Sequence, residues 1–280
     1  ELEKALAGKI ASASLYMSNY REHVSGSSTP KDVETMLQLV YLYFTNINKD
    51  QKSFDNLMQT TEVSLKNRLL QPENVFSDSL TLTLGKHHPR VKPMTVDDLK
   101  KVNYDRILEM AKERTANAAA YTFTIIGNYD EQTIRPLIEQ YLGSLPSQKK
   151  VQKGKFIDTD FKGKVVNDFK HKAETPKAIA VMVWYSKKVP YTLENSIKAS
   201  IAGQILSMEY LKKIREDASA AYTVGASGSM SRDDFEKSAT IYVYCLMKPE
   251  KADVALQIMR DEVNNMTKTC DADKLAKVKE

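Results

Sequence analysis

Thr240-Ile-Tyr-Val-Tyr-Cys-Leu-Met-Lys-Pro-Glu-Lys-Ala-Asp-Val-Ala-Leu-Gln-Ile-Met-Arg-Asp-Glu-Val263 changes character halfway along. Up to Met247 it is a run of β-branched and aromatic residues, the composition of a strand. Lys248-Pro249-Glu250 then puts a proline where a helix can begin, and a helix is expected to run to about Met266. The same order of strand, short polar turn and amphipathic helix is read at His23–Phe44 and again at Tyr121–Leu142. In the first copy Thr29-Pro30-Lys31 resembles Lys248-Pro249-Glu250. Val33, Met36, Leu37, Val40, Tyr41 and Phe44 follow it at three- and four-residue spacing, one face of a helix. Recurrence of one unit implies duplicated domains.

Working outward, Gly8 to Ser28 reads as paired strands. Helices are expected at about Gln51–Leu70, Glu73–Leu84, Asp97–Val102, Asp105–Arg114 and Asp130–Leu142, with Tyr121–Ile126 a strand. Further on, strands are expected near Val165–Phe169, Ala178–Tyr185, Ala221–Gly228 and Ser238–Leu246, and a long helix at Leu193–Arg215. Ala178–Tyr185 is apolar throughout, so burial on both faces is expected. Strands separated by several consecutive helices argue against a regular βαβ array. The fold class is therefore α+β: two related domains, each a largely antiparallel sheet with helices packed on one face.

The helix ending at Tyr141-Leu142 meets Gly143, and a lysine-rich, glycine-containing stretch follows Ser144-Leu-Pro-Ser147. Domains are expected at 1–147 and 165–280, joined by a solvated connector at 148–164. Net charge is +5, and between Gln148 and Lys172 eight lysines face three aspartates, so the rest of the chain is neutral. A nucleic-acid binder would carry a stripe mixing arginine with aromatics; none is present, and a nucleic-acid partner is not expected. The longest apolar run, Ala178–Tyr185, has eight residues, less than half of the ~20 that a membrane span needs, so no span is expected. No basic, apolar leader is visible at Glu1, and both ends fall in helix-like sequence. A piece of a longer protein is expected.

Ordinary enzymatic motifs are missing: there is no phosphate loop, dinucleotide fingerprint or Gly-x-Ser-x-Gly elbow. Gly225-Ala-Ser-Gly228 is read as a twisted or bulged strand, because no lysine or helix follows. The four histidines are His23, His87, His88 and His171. His87-His88 is an adjacent pair, whose side chains rarely point at one metal. His171-Lys-Ala-Glu174 matches four positions of the His-x-x-Glu-His zinc motif, but Thr175 stands in the fifth and Pro176 disfavours a helix there. No metal site is expected. Two cysteines, Cys245 and Cys270, are too few for a disulfide framework and are read as separate thiols. Whether they pair stays open at this point.

There remains Leu211-Lys-Lys-Ile-Arg215-Glu-Asp-Ala-Ser-Ala-Ala-Tyr222-Thr-Val-Gly225, with its arginine late in the long helix and its tyrosine opening the next strand. A helix dipole and ordinary strand propensity account for both residues without a function. The segment nevertheless resembles the Arg/Tyr motif of the insulinase/pitrilysin zinc metallopeptidases. Other stretches resemble the non-catalytic C-terminal half of bacterial members in matching order: Lys4–Lys9 leading into strands, Phe54 through Pro72–Phe76, and Tyr121–Asn128 with its helix to Tyr141–Pro146. This resemblance implies a half-clamshell without zinc, closing over a peptide held at the catalytic N-terminal half, which would carry His-x-x-Glu-His and the zinc. It maps the substrate-contacting arginine and tyrosine onto Arg215 and Tyr222, and it puts no metal ligand in this chain. The implied partners are the catalytic half, in the same polypeptide or a separate active subunit, and peptide substrates. Alone, the chain should not hydrolyse peptides. It also suggests a periplasmic or envelope location, a first domain lacking its front helix and a last domain lacking its final elements. The alternative on the same fold is a non-enzymatic scaffold or peptide-binding module.

Overall fold

Two antiparallel sheets organise the chain, one early and one late in the sequence. The computed structural model describes residues 2–18, 21–148, 150–151, 154–232 and 237–279. Residues 149, 152 and 153 of the expected connector and residue 280 of the last domain lie outside the described residues. The chain divides into two compact units, one of residues 1–71 and 80–163 and a second of 72–79 and 164–280.

In the first unit a short α1 (Leu2–Ala5) precedes a hairpin of β1 (Ala11–Met17) and β2 (Glu22–Ser28), paired from Ala11↔Ser28 to Met17↔Glu22. Alternation sorts the two faces. Ala13 and Val24 pack toward the core, while Ser12, Ser14, Tyr16, His23, Ser25 and Ser27 are exposed. A 3₁₀ turn at Pro30–Asp32 feeds α2 (Val33–Thr45), whose Val40 and Phe44 form the core with Ala118 and Leu145. Then come α3 (Gln51–Arg68), α4 (Pro72–Leu84), of which residues 72–79 belong to the second unit and 80–84 to the first, α5 (Val96–Leu99) and α6 (Tyr104–Thr115), and α7 (Glu131–Tyr141) comes after an extended stretch. Side chains of Asp50, Asn103 and Asp130 accept the N-terminal amides of α3, α6 and α7, and Thr95 forms a capping box with Asp98 on α5.

Tyr121–Ile126 is not a strand. It is extended but joins no ladder. Its aromatic side chains find apolar contact with α2 instead: the Phe44 ring meets Tyr121 edge-on at 4.9 Å and Phe123 at 5.8 Å. The lysine-rich segment is not a free connector either. Gln148 N donates to Asn117 Oδ1 at 2.7 Å and Phe161 N to the Leu84 carbonyl at 3.0 Å, which straps the segment onto the first unit.

The second unit holds β3 (Ala178–Ser186), α8 (Leu193–Tyr210), β4 (Ala221–Met230), β5 (Ala239–Met247), α9 (Ala252–Asn264), α10 (Met266–Thr269) and α11 (Ala272–Lys279). The sheet order is β3-β5-β4, antiparallel throughout. Here the expectation for Ala178–Tyr185 needs correcting: β3 is an edge strand, half-buried along its whole length. The central place belongs to β5, whose Val243, Cys245 and Met247 are buried. Val165–Phe169 also lies outside the sheet; Phe169 stacks on Phe76 at 6.4 Å, near the Glu73–Lys177 ion pair.

Helix α8 crosses β4 at very short range. A Cβ on Gly203 would stand 2.1 Å from Gly228 N, and one on Gly228 would stand 1.8 Å from the Ala199 carbonyl oxygen. Glycine in β4 thus serves helix–sheet approach, and the one irregularity of that strand falls elsewhere, between Ala221 and Thr223. Beneath α8, Leu206, Tyr210, Ile214, Ala220, Val243, Cys245, Met247, Ala255 and Met259 form one buried cluster. The strand–turn–helix unit appears fully built twice: β2 through Pro30 into α2, and β5 through Pro249 into α9. In both, proline opens a 3₁₀ turn where its missing N–H is not needed.

Candidate functional site

Helix α8 does not stop at Tyr210. It widens into a π-helix over Leu211–Asp217, the form in which each N–H reaches the fifth residue back. The widened turn closes with Ala218 N donating to the Lys213 carbonyl at 3.1 Å and Ala220 N to the Ile214 carbonyl at 2.8 Å. Between those donors Ser219 takes φ 48°, a left-handed conformation that costs a non-glycine residue about 1–2 kcal/mol. The chain then enters β4 through a bulge: Ala221 pairs with Met247 and Thr223 with Leu246, leaving Tyr222 as the extra residue. A bulge turns the side chain it carries away from the regular pleat.

Arg215 and Tyr222 therefore both sit on irregular backbone, seven positions apart. Arg215 is exposed and Tyr222 is 55% exposed. Their neighbours are the opposite. Ile214 and Ala220 are fully buried and Ala221 nearly so, all in the cluster beneath α8. Core anchors thus fix the backbone on the inner side while a guanidinium and a phenol project outward. Two further contacts brace the turn from the start of α9: Lys251 Nζ donates to the Ala218 carbonyl at 2.6 Å, and Lys248 N to the Ala220 carbonyl at 3.0 Å. A groove of about 340 Å³ adjoins this segment, lined by Met208, Leu211, Val224 and Val278 together with Gln204, Ser207 and Lys277.

Behind the π-helix lies a charged knot. Lys213 Nζ bridges Glu209 at 3.2 Å and Glu262 at 2.8 Å, and Lys274 Nζ on α11 reaches Glu209 at 2.8 Å. Both glutamates are almost fully buried. Burial works against charge on Glu209, but hydrogen bonds from Lys274 and Lys213 outweigh it and hold the carboxyl below its usual range. Glu262 Oε2 is buried without a hydrogen-bond partner among the described residues. Tyr210, fully buried, donates its hydroxyl to the Met259 carbonyl at 2.8 Å; burial pushes its pKa far above that of a free phenol.

The histidines give a different picture. His88 Nδ1 accepts the Arg90 N–H at 3.2 Å in a loop where Lys86 and His87 are left-handed. His171-Lys-Ala-Glu174 lies in non-helical backbone, so a zinc-motif helix does not form there. Among the described residues no three His, Cys, Asp or Glu groups come together to hold a metal ion. Residues 87–88 belong to the first unit and 171–174 to the second. Cys245 is buried and Cys270 exposed, and both are free thiols.

Sequence reasoning missed Ser219 and Lys251. A serine in a left-handed turn has no compositional signal, and a lysine shortly past a strand reads as ordinary surface.

The same fold occurs in solved proteases. The periplasmic protease PqqL from Escherichia coli matches with a TM-score of 0.77 at 21% identity, over 99% of this chain and 30% of that one. The ferredoxin protease FusC, solved in complex with Arabidopsis ferredoxin, matches with a TM-score of 0.71 at 15% identity, over 98% of this chain and 30% of that one. In sequence, a protein of Arabidopsis thaliana described as "Zinc protease PQQL-like" is 33% identical over 117 residues, which is 41% of this chain and 12% of that protein. Residues 101–280 match the family described as "Peptidase M16 inactive domain", and the chain belongs to that family. The resemblance to the non-catalytic half of insulinase-type zinc metallopeptidases thus holds. This chain spans about a third or less of the length of these relatives. Among the described residues no helix is long and apolar enough to cross a membrane.

Proposed function

We propose that this chain is the zinc-free C-terminal half of a zinc-dependent metalloendopeptidase, which encloses a peptide and presents Arg215 and Tyr222 to it. The observation that carries this reading is that an exposed guanidinium and an exposed phenol both stand on irregular backbone, each next to residues buried in the core. Such backbone is tolerated where a side chain must be aimed. In this reading the domains run over 1–147 and 165–280, with 148–164 between them and held to the first by hydrogen bonds from Gln148 and Phe161.

The partner is the catalytic N-terminal half, in the same polypeptide or as a separate active subunit; it would carry the zinc, whose chemistry would be to activate water and polarise a carbonyl. Tyr222 contributes a hydroxyl that donates to the peptide oxygen on which negative charge builds. Arg215 contributes a planar set of N–H donors that orient neighbouring peptide carbonyls and stay charged throughout. Tyr222 acts through an interaction that strengthens as charge develops, so it lowers the barrier more than it tightens ground-state binding, whereas Arg215 acts by orienting the peptide. Without the catalytic half the chain hydrolyses nothing. The likeness to a periplasmic protease supports a periplasmic location.

The test supplies the catalytic half, in cis or in trans, and compares wild type with Arg215→Ala and Tyr222→Phe on a peptide substrate. Tyr222→Phe, which loses the donor to the developing oxyanion, should lower kcat about 10²–10³-fold, and Arg215→Ala should impair cleavage by loosening the orientation of the peptide. Unchanged cleavage by both variants overturns the substrate role. No cleavage by the wild-type pair, with binding retained, would favour a peptide-binding module.

A further inference from the structure

Arg215 and Tyr222 are joined by a turn with little intrinsic rigidity. Ala218, Ser219 and Ala220 have small side chains, and Ser219 sits in a left-handed well that serine does not prefer. The end of a helix also leaves carbonyls without intrahelical donors, here those around Ala218. What holds the turn comes from another element. The 3₁₀ turn Pro249–Lys251 follows Met247, which is buried at the end of the central strand β5, and Pro249 restricts its backbone further. From this base Lys248 N donates to the Ala220 carbonyl at 3.0 Å and Lys251 Nζ to the Ala218 carbonyl at 2.6 Å. The carbonyls of the residues before and after Ser219, Ala218 and Ala220, are thus both gripped from one rigid turn. A cation at this place also meets the negative end of the α8 and π-helix dipole.

We propose that Lys251 is a positioning residue: its ammonium locks the Ala218–Ala220 turn and thereby sets where Arg215 and Tyr222 meet a bound peptide. The enzymatic part of this proposal rests on the substrate role given above to those two residues; the mechanical part does not. Lys251 touches no substrate. It acts through the Ala218 carbonyl, and a half-buried carbonyl stripped of a charged donor finds no equivalent partner. The turn then samples other conformations, and the Ile214–Ala220 hydrogen bond opens with it.

Two measurements on Lys251→Met and Lys251→Arg decide the matter. The first is native-state amide exchange on this chain, read at Ala218 and Ala220, with the Met259 amide in α9 as control for an intact fold. Lys251→Met should speed exchange at Ala220 about tenfold or more while the Met259 amide is unchanged, and Lys251→Arg should restore protection. Unaltered exchange at Ala220 in Lys251→Met overturns the proposal. The second is peptide cleavage with the catalytic half present. Lys251→Met should lower kcat about ten- to a hundredfold with KM little changed, Lys251→Arg should recover most of it, and Lys251→Met should add little on top of Arg215→Ala. Faster exchange with undiminished cleavage, where Arg215→Ala is impaired, overturns the positioning role alone. If Arg215→Ala and Tyr222→Phe are themselves unimpaired, the substrate reading fails, and the exchange result still stands for or against the lock.

Discussion

Gly203 of α8 and Gly228 of β4 face each other so closely that a Cβ on the first would lie 2.1 Å from the backbone nitrogen of the second. Backbone cannot yield as a flexible side chain can, so the helix must lift off the sheet to admit even one methyl group. That lift would disturb the buried cluster under α8, from Leu206 to Ile214, on which the Arg215 segment is built. Gly203→Ala is therefore expected to cost about 3 kcal/mol or more, the upper end for overpacking. Gly154→Ala, where an added Cβ meets nothing within 4 Å, is expected to be neutral or slightly stabilising. Urea unfolding of the two variants side by side measures the contrast; equal midpoints would contradict it.

The buried charge knot predicts a pH-dependent penalty. Lys213 is the link between Glu209 and Glu262, and Lys213→Met keeps the stem while removing the charge. At neutral pH this leaves Glu262 without its ammonium partner in a nearly buried place. Because Lys213 itself reaches solvent, the cost is about 2 kcal/mol, less than for a fully enclosed pair. For the pH dependence, burial works against ionised Glu209 and Lys213, yet hydrogen bonds to Glu209 from Lys274 and Lys213, and from Lys213 to Glu262 and Glu209, prevail. The Glu209 carboxyl titrates below its unfolded value of 4.5 and the Lys213 ammonium above its unfolded value of 10.5. The carboxylate's contribution is present above pH 4.5 and lost as pH falls through the folded value. The ammonium's contribution is present below pH 10.5 and lost as pH rises through its folded value. Thermal unfolding should thus separate Lys213→Met from wild type between those limits, and the gap should narrow in acid as pH falls from 4.5 through the lower folded value of the carboxylate. A gap that stays constant into acid would reject the account.

Much of the fold could be read directly because its signals are local. The apolar spacing from Val33 to Phe44 and the prolines at 30 and 249 each act within one or two turns, and helices stand where they indicate. Position within a sheet is a different matter. Ala178–Tyr185 and Thr240–Met247 are both apolar, and only pairing with distant β4 makes the second one central and leaves the first at an edge. Tyr121–Ile126 has strand composition, yet its rings are satisfied by Phe44 without a ladder. At the candidate site the residue types were legible through resemblance to known peptidases. Their presentation was not, since a π-helix and a bulge each add one residue to a regular pattern and leave composition unchanged.

The two thiols should differ sharply in reactivity. Cys245 lies at zero exposure in β5, and burial pushes its thiol up to about 11, so almost no thiolate exists at neutral pH. Cys270 is exposed between α10 and α11. A maleimide at pH 7 is expected to add once to the native chain, at Cys270, and to reach Cys245 only in denaturant. Peptide mapping by mass spectrometry reads the sites; prompt native labelling of Cys245 would show that β5 opens.

Ser219 offers a test of the turn that is independent of any substrate. At φ 48° its Cβ lies against the backbone, at about 1–2 kcal/mol, and the side chain is exposed, so no packing offsets that strain. Glycine removes the clash but adds about 0.5–1 kcal/mol of unfolded-chain entropy, so Ser219→Gly should be neutral to stabilising by up to about 1.5 kcal/mol. A β-branched residue has the reverse effect: Ser219→Val should cost about 1–2 kcal/mol beyond serine, because its branched Cβ is poorly tolerated at positive φ. The order glycine, serine, valine in urea midpoint is the expected outcome. If valine proved as stable as serine, the turn would have to be right-handed in solution. Arg215 and Tyr222 would then be presented by a different backbone from the one described above.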